Sequence, residues 1–456
     1  MKGAGIDRRR FLKRAGAWGG ALVAGPSLMQ LLESCGGGTS RSPSKVSINW
    51  NKGGEIQLLG NQNFVPAGDQ KQQELMNRWA AQHKGWKATL QPLEAENFQT
   101  KVASVVQAQA GPDIIEMQFN WPWLYPNACL DVGDVVARIE KRQGKFYDLI
   151  TASNKVKGAW KGVPFSYIAY AWPYRTDLWG AVGKPNFVST YKDLLTYGKQ
   201  VVQKTGVPIG VALGHALGDG NNVWNQLLWC YGAHAVAKDG KTVTLDSHQT
   251  REAVDWAIEM WNSGVLSHKT LAWTDTNNNL AYNGKQISAT TNASSIYTNL
   301  QPGHHNADPE LSKVTGVFPV LGGPKGKYAV QAPQSNSVMK WSPNPGAAMD
   351  LIEYLMQKDN YLEWMTAGNG YTQYPGSLLD DAPLWKNSPP LKAYNDGVRH
   401  GLWPGWPGPP NRASAEVFNK YILVDMFAQA VQRPSNAGSI IKSAAQQIET
   451  IYARPS

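Results

Sequence analysis

Cysteine and charge are both scarce in this chain: three Cys in 456 residues, and 17% Asp, Glu, Lys and Arg. Three cysteines are too few for a disulfide scaffold, so Cys129 and Cys230 read as buried thiols, although their spacing leaves a pairing open. Beyond the N-terminal segment no apolar run is long enough to span a bilayer, which excludes a permease. A Lys/Arg cluster is also missing. The formal charge of +10 falls to +6 once residues 1–34 are set aside, 38 basic against 32 acidic residues, and that surplus is spread out, so nucleic acid is not the expected partner. There is no GxxxxGK[ST], HExxH or GxSxG run, and so no local signature of nucleotide, zinc-protease or serine-hydrolase chemistry. Asp275-x-Asn277-x-Asn279 begins like a calcium loop but has Leu280 in place of glycine and Gln286 in place of the closing Glu, and is rejected. His304-His305 falls in a polar loop and reads as solvated rather than metal-binding. No metal and no cofactor are expected.

What is present begins with an address. Basic residues precede an apolar stretch from Ala15 to Leu32, the layout of an export signal. Within it, Arg8-Arg9-Arg10-Phe11-Leu12-Lys13 resembles the twin-arginine export motif. Leu32-Glu33-Ser34-Cys35 resembles a bacterial lipobox, with Cys35 as the lipidation site and Glu33 a departure from the usual uncharged residue. Residues 1–35 are therefore read as the signal and 36–44, rich in Gly and Ser, as a flexible tether.

The mature part alternates strand with helix. Lys45–Trp50, Lys87–Leu93 and Asp113–Met117 read as strands separated by helices at Asp69–His83 and from Asn97 to Gly111, a βαβαβ pattern that implies parallel strands covered by helices. Gly162–Trp179 is aromatic and β-rich, with Phe165, Tyr167, Tyr170, Trp172 and Tyr174 two or three apart. Because α/β patterns flank it on both sides, it is read as the crossing between two lobes, and Tyr167 and Tyr170 as the floor of a cleft. Val207–Leu213 and Gln286–Thr291 are expected strands of a second lobe, with helices at Ser189–Lys204, Asn221–Gly232 and Ser247–Asn262. At this length, two lobes are the default expectation.

The chain has 19 Trp and 18 Tyr against 10 Phe, a bias toward rings that also carry a hydrogen-bond donor. Stacking rings with amides and hydroxyls at the rim suit a sugar. The stretches assigned to the cleft, 60–64, 118–123, 165–174, 221–224 and 291–295, hold no carboxylate.

These residues resemble the extracellular solute-binding proteins, family 1, from about Val46 to Tyr452. The landmarks are Gly111-Pro112-Asp113-Ile114-Ile115, Gly162-Val163-Pro164, Tyr174-Arg175-Thr176-Asp177-Leu178, Leu245-Asp246-Ser247, Tyr282-Asn283-Gly284-Lys285, Phe318-Pro319-Val320 and Asn344-Pro345-Gly346-Ala347-Ala348, in that order. The resemblance implies an α/β fold of the two-lobed periplasmic-binding-protein-like (type 2) kind, each lobe a mostly parallel sheet flanked by helices, joined by hinge crossovers. It places 45–168 and 335–375 in lobe 1, and 169–334 and 376–456 in lobe 2. It also implies ligand contacts at Gln62, Asn63, Phe119, Asn120, Trp121, Asn221, Asn222, Trp224, Asn292, Ser294, Tyr371, Trp403 and Trp406. The function it implies is capture of a small-molecule carbohydrate for an ABC transporter membrane permease. The carrier would be an exported monomer in the periplasm or on the outer face of the cytoplasmic membrane, held by its lipid anchor, without catalytic residues. Two alternatives are kept: an exported carbohydrate-active hydrolase, requiring two carboxylates facing across the cleft, and a binder of a polyamine or other cation, requiring acidic residues in place of amides.

Overall fold

The computed structural model describes residues 48–304 and 306–454. The signal, Cys35, the tether and His305 lie outside the described residues. The first strand, β1, is Gly54–Asn61, followed by helix α1 (Pro66–Ala81), β2 (Trp86–Leu93), α2 (Ala95–Ala108) and β3 (Ile114–Gln118). This is the expected βαβαβ unit with its first strand displaced: Lys45–Trp50 is not a strand where it is described, and Trp50–Lys52 is a turn of 3-10 helix. The residues that face the core are Ile56 and Leu58, both fully buried. On the register Ile56↔Ala88, Leu58↔Leu90 and Leu58↔Ile114 they pair with β2 and β3 in parallel.

Helix α1 forms because Leu75, Met76 and Trp79 recur at helical spacing and close over the sheet. Pro66 at its first position loses no helical hydrogen bond. Further on come β4 (Val163–Ile168), β5 (Trp172–Arg175), helix α3 (Asp219–Tyr231), β6 (Thr315–Phe318) and β7 (Ala332–Val338). The first lobe's sheet runs β2-β1-β3-β7-β4. It is mixed, because β7 returns antiparallel to both β3 and β4 with a bulge between Gln334 and Ser335.

The second lobe is built differently from the expected regular sheet. β5 pairs antiparallel with β6, but the expected strands Val207–Leu213 and Gln286–Thr291 meet their neighbours only at single bridges, Ile209 with Leu266 and Ala289 with Tyr174. Pro208 has no N–H to give a ladder. Trp273 also lies close against this backbone, its ring 2.4 Å from where a Cβ at Gly210 would stand. The segment's hydrogen bonds go instead to loops, Ile209 N to Val265 O at 2.7 Å and Gly210 N to Ala289 O at 3.0 Å. Helices at Tyr191–Thr205, His248–Asn262, Ile422–Gln432 and Ala437–Tyr452, together with α3, supply the bulk of this lobe's core.

Burial divides the interior accordingly. One apolar cluster gathers the first lobe around Ile56, Trp79, Phe165 and Tyr361, and a larger one gathers the second around Trp179, Leu227 and Phe427. A third mixes them, with Phe98, Phe119, Trp121 and Ile168 against Leu217, Trp229, Ala293 and Phe418. Trp385, Leu391, Tyr394 and Val398 pack in the first cluster. Cys129 and Cys230 are both buried and free.

Candidate functional site

Between the lobes, at the carboxyl end of β3 and the crossing after β4, lies a cavity of about 40 Å³, room for two or three waters. Its ring surfaces are Phe64, Phe119, Tyr170 and Tyr371. Phe119 holds a left-handed φ of +50°, a costly conformation for a bulky residue, and its ring meets Phe418 at 4.6 Å. Tyr170 is fixed from behind, since its backbone N–H donates to Gln331 Oε1 at 2.7 Å and so ties two crossovers together.

Two carboxyl groups complete the wall. Asp275 accepts from the first N–H groups of α3, Asp219 N at 2.8 Å and Gly218 N at 3.1 Å. Burial raises its pKa to about 6 despite these bonds. Asp219 accepts from Asn278 Nδ2 at 2.5 Å; burial and the neighbouring Asp275 charge push its carboxyl well above the usual range. In the first lobe, Glu116 accepts from Gln334 Nε2 at 3.0 Å and is raised to about 8, first by burial and then by the Asp69 charge. Asp69, raised to about 6 by burial, accepts from Asn63 N at 3.1 Å. Amides carry the rest of the lining. Asn292 Nδ2 donates to Asn279 Oδ1 at 2.5 Å, and Ser295 Oγ reaches Asn292 Oδ1 at 3.1 Å.

Of the residues singled out from the sequence, Phe119, Tyr170, Asn292 and Tyr371 line this cavity together. Ser294 is buried beside it with no partner for its hydroxyl. Others have structural partners. Asn63 turns the chain into α1 through Val65 N to Asn63 Oδ1 at 2.8 Å, while Gln62 is exposed. Asn120 donates to Ser414 at 3.3 Å, and Trp121 stacks on Phe98 at 5.9 Å. Tyr167 is wholly buried in the first core, its hydroxyl donating to Asn395 at 3.3 Å. Asn221 donates to Leu217 O and Phe418 O, and Asn222 is buried with both side-chain atoms unpartnered. Trp224 belongs to the second core, donating to Ala212 O at 2.7 Å and stacked on Phe427. Trp403 donates to Gly408 O at 2.8 Å, and Trp406 packs on Trp229, His234 and Tyr328.

The absence of carboxylates expected of the cleft is corrected by Asp219 and Asp275. Asp219 stands two residues before the stretch chosen, and Asp275 opens the run weighed only as a calcium loop. That polar run, Asp275 to Asn279, whose last three residues open the short helix Asn277–Asn283, was the available signal.

Bonds cross between the lobes at the rim. Glu96, near the start of α2, accepts from Thr274 Oγ1 at 3.0 Å and Thr276 Oγ1 at 2.8 Å. Gln99 donates to Asn419 O and accepts from the Tyr421 hydroxyl, each at 3.0 Å, and Asn299 donates to Phe64 O at 2.9 Å.

A family model described as bacterial extracellular solute-binding protein matches residues 74–393. Among solved structures, the chain is similar to maltose-bound MalE3 of T. maritima at 18% identity, covering 87% of this chain and 99% of that one, with a TM-score of 0.75. A sugar transporter from Arthrobacter chlorophenolicus A6 with bound laminaribiose matches at 17% identity, 88% and 100% coverage and a TM-score of 0.74. The GacH receptor of Streptomyces glaucescens GLA.O, solved unliganded and with acarbose, matches at 16% identity, 89% and 100% coverage and a TM-score of 0.73. No curated protein sequence matches.

Proposed function

Since the chain belongs to the bacterial extracellular solute-binding proteins, we propose that it captures a carbohydrate between two closing lobes and delivers it to the membrane permease of an ABC transporter. The observation that carries this reading is the cavity at the lobe crossing, where the rings of Phe119, Tyr170 and Tyr371 meet the carboxyls of Asp219 and Asp275 and the amides of Asn279 and Asn292. Rings offer faces to sugar C–H patches, and carboxyls and amides pair with hydroxyls round the edge. The sugar-bound relatives reported above have the same fold and support the same ligand class.

Capture is a linkage. A ligand touching both lobes prefers the closed state, and that preference alone drives closure. Going from mostly open to mostly closed takes about 5 kcal/mol of differential affinity. A few stacked rings at about 0.5–1.5 kcal/mol each, with several buried hydrogen bonds, are sufficient. At about 40 Å³ the cavity is too small for a hexose, so entry requires the lobes to part. In this reading lobe 1 comprises 45–168 and a segment from 335 that runs past the expected end at 375 to near residue 400, because Trp385, Leu391, Tyr394 and Val398 pack in the first core. The receptor acts as an exported monomer, anchored through Cys35, and leaves the sugar chemically intact.

Asp219 and Asp275 favour a second reading, a carrier of a non-sugar cation such as a polyamine. A thermal-shift screen against mono- and oligosaccharides, polyamines and amino acids separates the two. A true ligand at a hundred times its Kd adds about 2.7 kcal/mol and raises Tm. Stabilisation by a sugar series recovered unaltered supports the carbohydrate receptor. Stabilisation by cations alone supports the second reading, and consumption of a glycoside identifies a hydrolase.

A further inference from the structure

The proposed sugar site is unusual in its charge. Two carboxyl groups, Asp219 and Asp275, line the cavity, and Glu116 and Asp69 lie close enough behind it to act on Tyr371, yet among the described residues no Lys, Arg or His lines it. The groups acting on these four carboxyls include no cation. This does not reflect a shortage of cations, because the chain has 44 Lys and Arg and pairs them elsewhere, Glu353 with Arg138 and Arg142, and Glu363 with Arg78. Removing carboxyls from water without a counter-charge is costly, and the cost is usually met by a partner that arrives from outside or by a retained proton.

A separate observation points to a ligand at the same place. Two buried polar atoms have no hydrogen-bond partner among the described residues: Asn61 Oδ1 on the cavity lining, and Ser294 Oγ between the lining residues Ala293 and Ser295. A buried polar atom normally has one. Asp275, held by two N–H groups of α3, faces the same space with its position fixed before any ligand enters.

Resting on the carbohydrate reading, we infer that the saccharide bound here carries a protonated amine, which Asp275 and Asp219 receive while Tyr371 hydrogen-bonds a neighbouring hydroxyl. Neutral sugars can donate hydroxyl hydrogens to the same carboxyls but bring no counter-charge to them. An ammonium group supplies charge-assisted bonds to it.

The test is isothermal titration of the full-length protein at pH 7 with sugars matched except for the amine: glucosamine with glucose, galactosamine with galactose, and the chitosan disaccharide with cellobiose, plus spermidine. The expected result is that the amine member of at least one pair binds about tenfold tighter or more than its neutral partner. That advantage should vanish in Asp219→Asn and in Asp275→Asn. Because Asp275 also caps α3, the Asp219 variant and the ligand pairs keep the test valid if Asp275→Asn fails to fold. Neutral sugars binding as tightly as their amine partners overturns this inference and leaves the carbohydrate reading intact. Spermidine as the sole binder, or no binding by any probe, overturns both.

Discussion

Glu116 sits at the centre of the first lobe's sheet with its carboxyl accepting from Gln334 and facing Asp69, and burial raises its pKa to about 8. Between the ordinary value of 4.5 and about 8 the folded chain keeps a proton that the unfolded chain releases. Unfolding then releases a proton, so raising the pH through that window favours the unfolded state, with a slope approaching about 1.4 kcal/mol per pH unit, and the loss levels off above about pH 8. Glu116→Gln keeps the shape and has no proton to release. Urea denaturation at pH 5 and pH 8 should show the parent losing stability relative to this variant; parallel behaviour would mean that Glu116 ionises normally. The same scale shows what residue type alone could not reveal. Trp224 and Trp121 have the chemistry of sugar platforms, but one fills the second core against Phe427 and the other stacks on Phe98. A tryptophan's value in a core and at a site rests on the same apolar area, so only its neighbours distinguish the two.

At the level of elements, α2 stands out as a latch. Its N-terminal turn presents Glu96 to Thr274 and Thr276, and Gln99 one turn on meets Asn419 and Tyr421, all from the second lobe. These bonds exist only when the lobes meet, so each biases the closed state without touching ligand. Hydrogen bonds to a charged group contribute about 1.5–3 kcal/mol where buried and less at an exposed rim. Glu96→Ala should therefore weaken affinity for whichever solute the thermal-shift screen identifies by about fivefold, at about 1 kcal/mol, without changing which solute is preferred. A titration showing altered preference would place Glu96 in the ligand contact instead. The β elements were less legible than the helices. Amphipathic spacing marked α1 and α2 within a few residues, whereas 207–213 lacks a ladder because Pro208 and the close approach of Trp273 to Gly210 divert its backbone to loops.

For the whole molecule, closure predicts a change of size. Small-angle scattering of the protein with and without its stabilising ligand should show the radius of gyration fall on binding, if the proposed closure turns the lobes about crossovers near 168–172, 329–332 and 398–402. An unchanged radius with tight binding would overturn the closing-lobe reading.

The sequence by itself determined the βαβαβ unit, the aromatic crossing and, through ordered landmarks, the family, since these depend on local periodicity and on short runs whose order survives divergence. It also brought forward Phe119, Tyr170, Asn292 and Tyr371, which lie where strands end and the chain crosses between lobes. Only the tertiary structure decided the site's charge. Asp219 and Asp275 are 56 residues apart and meet because the N-terminus of α3 takes the Asp275 carboxylate as its cap. Glu116 comes to the same region from another lobe through Gln334 on the returning strand β7. A pattern read along the chain records which residues share a face; which faces then close on one another is set by long-range packing, and the balance of charge in the cavity follows from that packing.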